Sequence, residues 1–153
     1  MAGTNIVAAR SALITAVDAI AALDGVNVSY SYVAKLADAG SREYIYGGPK
    51  SEAGVVQSAM KGTARVKREE TPGWTLHIRV VKPGEATTLA GDTRAVAIGA
   101  EVENYLAANP TLAGAVTGLM NAHITGWSLT SYADEKQSYS ELDYSIEFHS
   151  YLT

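Results

Sequence analysis

The chain has 153 residues, 47% of them hydrophobic and 18% charged, with no cysteine and nine tyrosines against one phenylalanine. That length suits one domain with a core large enough to need no staples, and the apolar share argues against overall disorder. The missing cysteine excludes a disulfide framework, a Cys-based zinc site and a thiol nucleophile. A formal charge of −4 gives no sign of a nucleic-acid-binding domain, which is usually basic.

Residues Thr4 to Leu23 read as a helix: Ile6, Leu13, Val17 and Ile20 recur at helical steps, with Ile14 beside them. Thr4 or Asn5 can cap its start, and Asp24-Gly25 supplies the stop. The period then changes to two. Val26, Val28, Tyr30 and Tyr32 alternate with Asn27, Ser29 and Ser31 as a half-buried strand does, and Arg42–Tyr46 is a second strand bounded by Gly47-Gly48-Pro49. Pro49 to Lys61 is rich in small residues and reads as a loop or arm. Ala64 and Val66 begin a third strand, and Trp74, Leu76, Ile78 and Val80 mark a fourth. Thr71-Pro72-Gly73 between them can turn the chain, which predicts a long hairpin there.

Past Lys82-Pro83-Gly84, Asp92 is the predicted cap of a second helix that buries Ala95, Ile98, Val102, Tyr105 and Leu106 and ends at Asn109-Pro110. Thr111–Asn121 fits either a short helical turn or irregular structure, and His123–Ser131 reads as a fifth strand. In the last element Leu142, Tyr144, Ile146 and Phe148 alternate with Glu141, Asp143, Ser145, Glu147 and His149. Its natural partner is the segment around Asp134–Ser138. Strands joined by hairpins rather than repeated crossovers predict one α+β domain, 1–153. Its mainly antiparallel sheet has about five strands, with two or three helices on one face.

Signals for chemistry are weak. Gly47-Gly48-Pro49-Lys50-Ser51 lacks the glycines of a phosphate-binding loop. His77, His123 and His149 have no ligand at helical i+4 spacing. His149 and Glu147 share a strand face, but a metal centre needs a third ligand. Glu69-Glu70 and Asp134-Glu135 are adjacent pairs that point apart on a strand, and there is no Gly-x-Ser-x-Gly elbow. Trp74 in its apolar phase reads as core rather than as a stacking platform for a nucleic acid. No catalytic set, metal site or cofactor is expected. No apolar run is long enough to span a membrane, and no cationic segment precedes an apolar block as in a secretion signal, so the chain reads as intracellular at synthesis.

Two distributions are uneven. Half of the twelve cations fall between Lys61 and Lys82 (Lys61, Arg65, Lys67, Arg68, Arg79, Lys82), whereas from Ala133 onward five acids accompany one base, Lys136. Either these are solvated strand faces of opposite sign, or they are complementary between copies of the chain. Five tyrosines follow a serine: Tyr30, Tyr32, Tyr132, Tyr139 and Tyr151. They suit ordinary sheet packing, or a face shared between subunits, for which Tyr151 is the leading candidate.

In order, these elements resemble the tail terminator proteins of long-tailed bacteriophages, also known as minor tail or head–tail joining proteins. An alanine-rich first helix leads into a strand near Val26, and Arg42-Glu43-Tyr44-Ile45-Tyr46-Gly47-Gly48 resembles an Arg-Glu-aromatic strand ending in a glycine turn. Arg68-Glu69-Glu70 through Trp74-Thr75-Leu76-His77-Ile78 resembles the strand pair that follows. Asn109-Pro110-Thr111-Leu112-Ala113-Gly114-Ala115-Val116 resembles a Pro-Thr-Leu-Gly-Gly-x-Val stretch, with Ala113 in place of one glycine. The resemblance implies a structural virion protein; the alternatives are another phage neck or tail-assembly subunit, a non-viral oligomeric scaffold, or a small enzyme. Copies of the virion protein, six in the family, would close into a ring that caps the tail tube, stops its growth and joins it to the head connector or stopper protein. Genomic DNA would pass through the lumen without sequence-specific binding. On that reading Arg65, Lys67 and Arg68 would face Glu141, Asp143, Glu147 and Tyr151 of a neighbouring copy. Pro49, Lys50 and Lys61, and Tyr132, Asp134, Glu135 and Lys136, would reach axially toward tube or connector.

Overall fold

The computed structural model describes residues 3–32, 42–58 and 67–152. Helix α1 spans Ile6–Asp18 and is followed by a 3₁₀ turn, Ala21–Leu23. Strands β1 (Asn27–Ser29), β2 (Glu43–Glu52), β3 (Val55–Ser58), β4 (Lys67–Glu70) and β5 (Gly73–Pro83) precede helix α2 (Thr88–Ala108). A second short turn, Leu112–Gly114, leads to β6 (Leu119–Ala133) and β7 (Gln137–Leu152). The fold is α+β with a mostly antiparallel sheet, as the alternation and hairpin signals predict. Among the described residues no helix is long and apolar enough to cross a membrane.

Among the described residues the sheet has seven strands rather than five, because two long strands are each interrupted once. β2 pairs with β5 as far as Glu52↔Gly73, and β3 resumes against β4 at Val55↔Glu70. Both β4 and β5 lie along the same edge of β7, from Arg68↔Leu152 to Pro83↔Gln137. Thr71-Pro72-Gly73 is therefore no turn. Pro72 has no N–H to give the ladder, but its carbonyl accepts from Phe148 N at 2.9 Å, so the chain passes β7 without reversing. The long hairpin instead has β2–β3 as one arm and β4–β5 as the other. Residues 59–66, including the expected strand start at Ala64 and Val66, lie outside the described residues.

Other boundaries move for physical reasons. The predicted arm at Pro49 is strand as far as Glu52, with a bulge between Gly47 and Ser51. Gly47 is needed there, because a Cβ would fall inside the Trp74 indole, whose Nε1 donates to Gly48 O at 2.7 Å. β1 is shorter than its alternation and pairs parallel with β2. Ser29 Oγ bonds Ser31 O, and the Tyr30 and Tyr32 rings settle against Trp74 and Tyr46. α2 begins at Thr88 with Thr87 at its cap position, so Asp92 is interior to the helix. The Asp92 carboxylate is occupied by Ser131 and Ser140 from the sheet below.

The two α-helices among the described residues cover one sheet face. α1 supplies Ala9, Leu13 and Val17, and α2 supplies Ala95, Ile98, Val102 and Leu106. The sheet answers with Ile45, Leu76, Ile78, Val80, Leu142, Ile146 and Phe148, all essentially inaccessible to solvent. Trp74 is core, as its apolar phase predicts. Gly99 lets α2 approach β7 closely, since a Cβ there would collide with the Tyr144 hydroxyl. The start of α1 is closed by a distant residue: buried Glu70 Oε1 accepts from Thr4 Oγ1 at 2.7 Å and Asn5 N at 2.8 Å.

Candidate functional site

Among the described residues no helix covers the second sheet face, and its side chains are those in the polar phase of each strand. On β7 these are Tyr139, Glu141, Asp143, Glu147, His149 and Tyr151, all half-buried. His77 and Arg79 of β5 stand opposite Asp143 and Glu141. Arg79 Nη1 donates to Asp143 Oδ1 at 2.7 Å, and His77 Nδ1 is also 2.7 Å from that oxygen. Burial opposes the charge on Asp143, but the hydrogen bonds and charges of Arg79 and His77 prevail and hold its carboxyl below the usual range. Tyr46 stacks on His77, with Arg79 over its ring and Tyr44 beside it. This network ties β2, β5 and β7 together across the open face.

Farther along β7, Glu69 Oε2 lies 3.2 Å from His149 Nε2, and the hydrogen bond from Tyr151 to Glu69 raises the phenol above its ordinary value. At the opposite end Tyr132 and Tyr139 stack at 4.7 Å, and Tyr132 donates to Glu141 Oε1 at 3.1 Å. Burial and that hydrogen bond raise Tyr132. The β6–β7 turn beyond them is an Asp turn: Asp134 Oδ1 accepts from Lys136 N and Gln137 N, each at 2.8 Å, and these bonds lower its carboxyl.

The predicted residues divide accordingly. Glu141, Asp143, Glu147 and Tyr151 are brought into one row on the open face. Asp143 and Glu141 meet Arg79 within the chain, and His123 Nε2 lies 3.8 Å from Glu147 Oε1. Arg68 pairs with Leu152, in the buried phase of β7, so it lies on the opposite sheet face from that row, and Lys67 begins the same strand. Arg65 and Lys61 lie outside the described residues. Pro49 and Lys50 are exposed in the β2 bulge, with Lys50 paired to Glu52 at 2.5 Å. Tyr132 is the penultimate residue of β6, and Asp134, Glu135 and Lys136 form the exposed tip.

Sequence reasoning missed the outer edge of β6. This 15-residue strand pairs with β7 on one side, and among the described residues no strand pairs with the other. Trp127 stands on it 68% exposed, with Met120 and Tyr132 also exposed. Beside the strand, a groove of about 660 Å³ runs under the end of α2, floored by Leu106, Ala122 and Ile124. Glu103 and His123 flank it. The signal was present in the chain: no Asp, Glu, Lys or Arg occurs between Glu103 and Asp134. A second exposed edge lies across the sheet, where β3 presents Val55 and Val56, the latter 66% exposed. Exposed apolar groups thus lie at two separate sheet edges, on each of which no further strand pairs among the described residues. The chain matches no model of a known protein family and no curated protein.

Proposed function

We propose that this chain is a structural subunit that works by joining copies of itself, and that the assembly is the ring ending a phage tail tube. The observation that carries the reading is the pair of unlike, charge-poor sheet edges on opposite sides of one domain. A subunit with two different complementary edges builds head-to-tail, and closes into a ring when the rotation per copy allows it. The choice of the tail terminator among ring-forming proteins comes from the order of elements and the short stretches around Arg42–Gly48 and Asn109–Val116. On this reading the virion is its location. Tail tube and head connector are its partners, DNA passes through without readout, and no catalysis or cofactor is involved.

Deleting the gene from the phage that carries it tests the proposal. Tails of uncontrolled length that fail to join heads are the expected result in electron micrographs. Normal-length tails joined to heads would refute the terminator assignment.

A further inference from the structure

We propose that the outer edge of β6 pairs with the outer edge of β3 in a second copy of this chain, so that one antiparallel sheet continues from subunit to subunit. The inference rests on the assembly reading above and names the surfaces that carry it.

The backbone of β6 is prepared for a further strand. Asp134 N donates to Gln137 O at 2.9 Å across the turn. Antiparallel pairs alternate between bonded and non-bonded, so Tyr132, Thr130 and Ser128 bond to β7. The N–H and C=O groups of Ser131, Leu129 and Trp127 then point outward. Exposed edges are normally defended by charge, proline or short length. From Leu119 to Ala133, β6 has no acid, no Lys or Arg and no proline. Such an edge accepts a strand by backbone pairing, with side-chain contacts giving selectivity.

The other edge of the same chain fits it in direction, face and charge. β6 runs antiparallel to β7, β7 to β4, and β4 to β3. β3 is therefore antiparallel to β6, and a copy placed alongside in the same orientation offers β3 with the polarity an antiparallel ladder needs. Trp127 pairs with Tyr144 and Leu129 with Leu142, which puts both on the helix-covered side of the sheet. Val55 pairs with Glu70, itself opposite buried Ser150, so it is on that side too. Val96 of α2 adds to the patch: it is half-exposed, and one turn from Asp92, which bonds Ser131 of β6. Val55-Val56-Gln57-Ser58 carries no charge either, so neither edge repels the other. A twofold β6–β6 contact would leave Val55 and Val56 exposed and stop at a dimer, whereas the head-to-tail contact covers both edges.

Complementation between blocked subunits tests this. Trp127→Lys puts a charge on one edge and Val56→Lys on the other, each at an exposed position, with thermal unfolding to confirm that both variants fold. In sedimentation velocity the wild type should associate and each variant alone should be monomeric. A mixture of the two should give a species of twice the monomer mass and nothing larger, because one competent junction remains. Hydrogen exchange on the associated wild type should show new protection at 55–58 and 127–131 together. If the wild type is monomeric up to millimolar concentration, both this inference and the assembly reading fail. If the wild type associates but neither lysine disperses it, or the mixture stays monomeric, the edge pairing alone is overturned. Protection confined to β6 would indicate the twofold contact and overturn the head-to-tail arrangement.

Discussion

Replacing Glu70 removes the closure of α1 from a position 65 residues away in sequence. One oxygen, Oε1, takes both the Thr4 hydroxyl and the Asn5 N–H, and Glu70 is only 3% exposed. Glu70→Gln keeps an acceptor oxygen there and loses the charge at the positive end of the helix, a change of about 0.5–1 kcal/mol. Glu70→Ala removes the acceptor as well. Loss of a capping oxygen costs about 1 kcal/mol, and the charge brings the total to about 2 kcal/mol. For a chain of this size that lowers Tm by about 4–8 °C. Urea denaturation followed by circular dichroism should give the order wild type, Glu70→Gln, Glu70→Ala, with midpoints falling and m unchanged. Glu70→Ala at wild-type stability, or Glu70→Gln as unstable as Glu70→Ala, would show that α1 does not depend on this carboxylate.

Three further outcomes are expected. Ala113 holds φ +55° between Leu112 at +52° and Gly114 at +76°, a left-handed run that costs a non-glycine residue about 1–2 kcal/mol. Allowing for the extra freedom of glycine in the unfolded chain, Ala113→Gly should stabilise by about 0.5–1 kcal/mol in the same denaturation assay. Gly47→Ala should displace the Trp74 indole at a cost of about 1–3 kcal/mol, typical of overpacking, and shift tryptophan fluorescence to longer wavelength. The folded-state pKa of Asp143 is lowered, so its pairing with Arg79 and His77 favours the folded state above about pH 4 and is lost as pH falls below that. Asp143→Asn should therefore lose less stability between pH 5 and pH 3 than the wild type does, measured as the midpoint in urea at each pH.

The α+β class and the core were legible in the chain because apolar periodicity records burial directly. Leu13 and Val17, Ile98 and Val102, and Leu142 through Phe148 are buried as their spacing predicts. What failed was punctuation. Thr71-Pro72-Gly73 has turn chemistry, yet pairing with β7 on both sides of Pro72 holds the chain extended. Asp92 has cap chemistry, yet two serines from β6 and β7 claim it inside the helix. Ala113 adopts the left-handed conformation that glycine favours, because Leu112 beside it is buried and fixes the turn. The row Glu141, Asp143, Glu147 and Tyr151 was readable from strand alternation. The partnership of Asp143 with His77 and Arg79 was not, since strand register decides which rows meet. Trp127 escaped notice because an exposed apolar residue on an edge strand has the same local sequence as a buried one.

β7 follows every other strand in the sequence but lies at the centre of the sheet, gripping β4 and β5 on one side and β6 on the other. During synthesis the hairpin arms and the uncharged β6 are made before the strand that unites them. Neither open edge can then be presented at its fixed distance and angle from the other until β7 has zipped into place. If copies join at those edges as proposed, the order of translation delays that association until β7 has been made, and chains still lacking β7 are poor templates for one another.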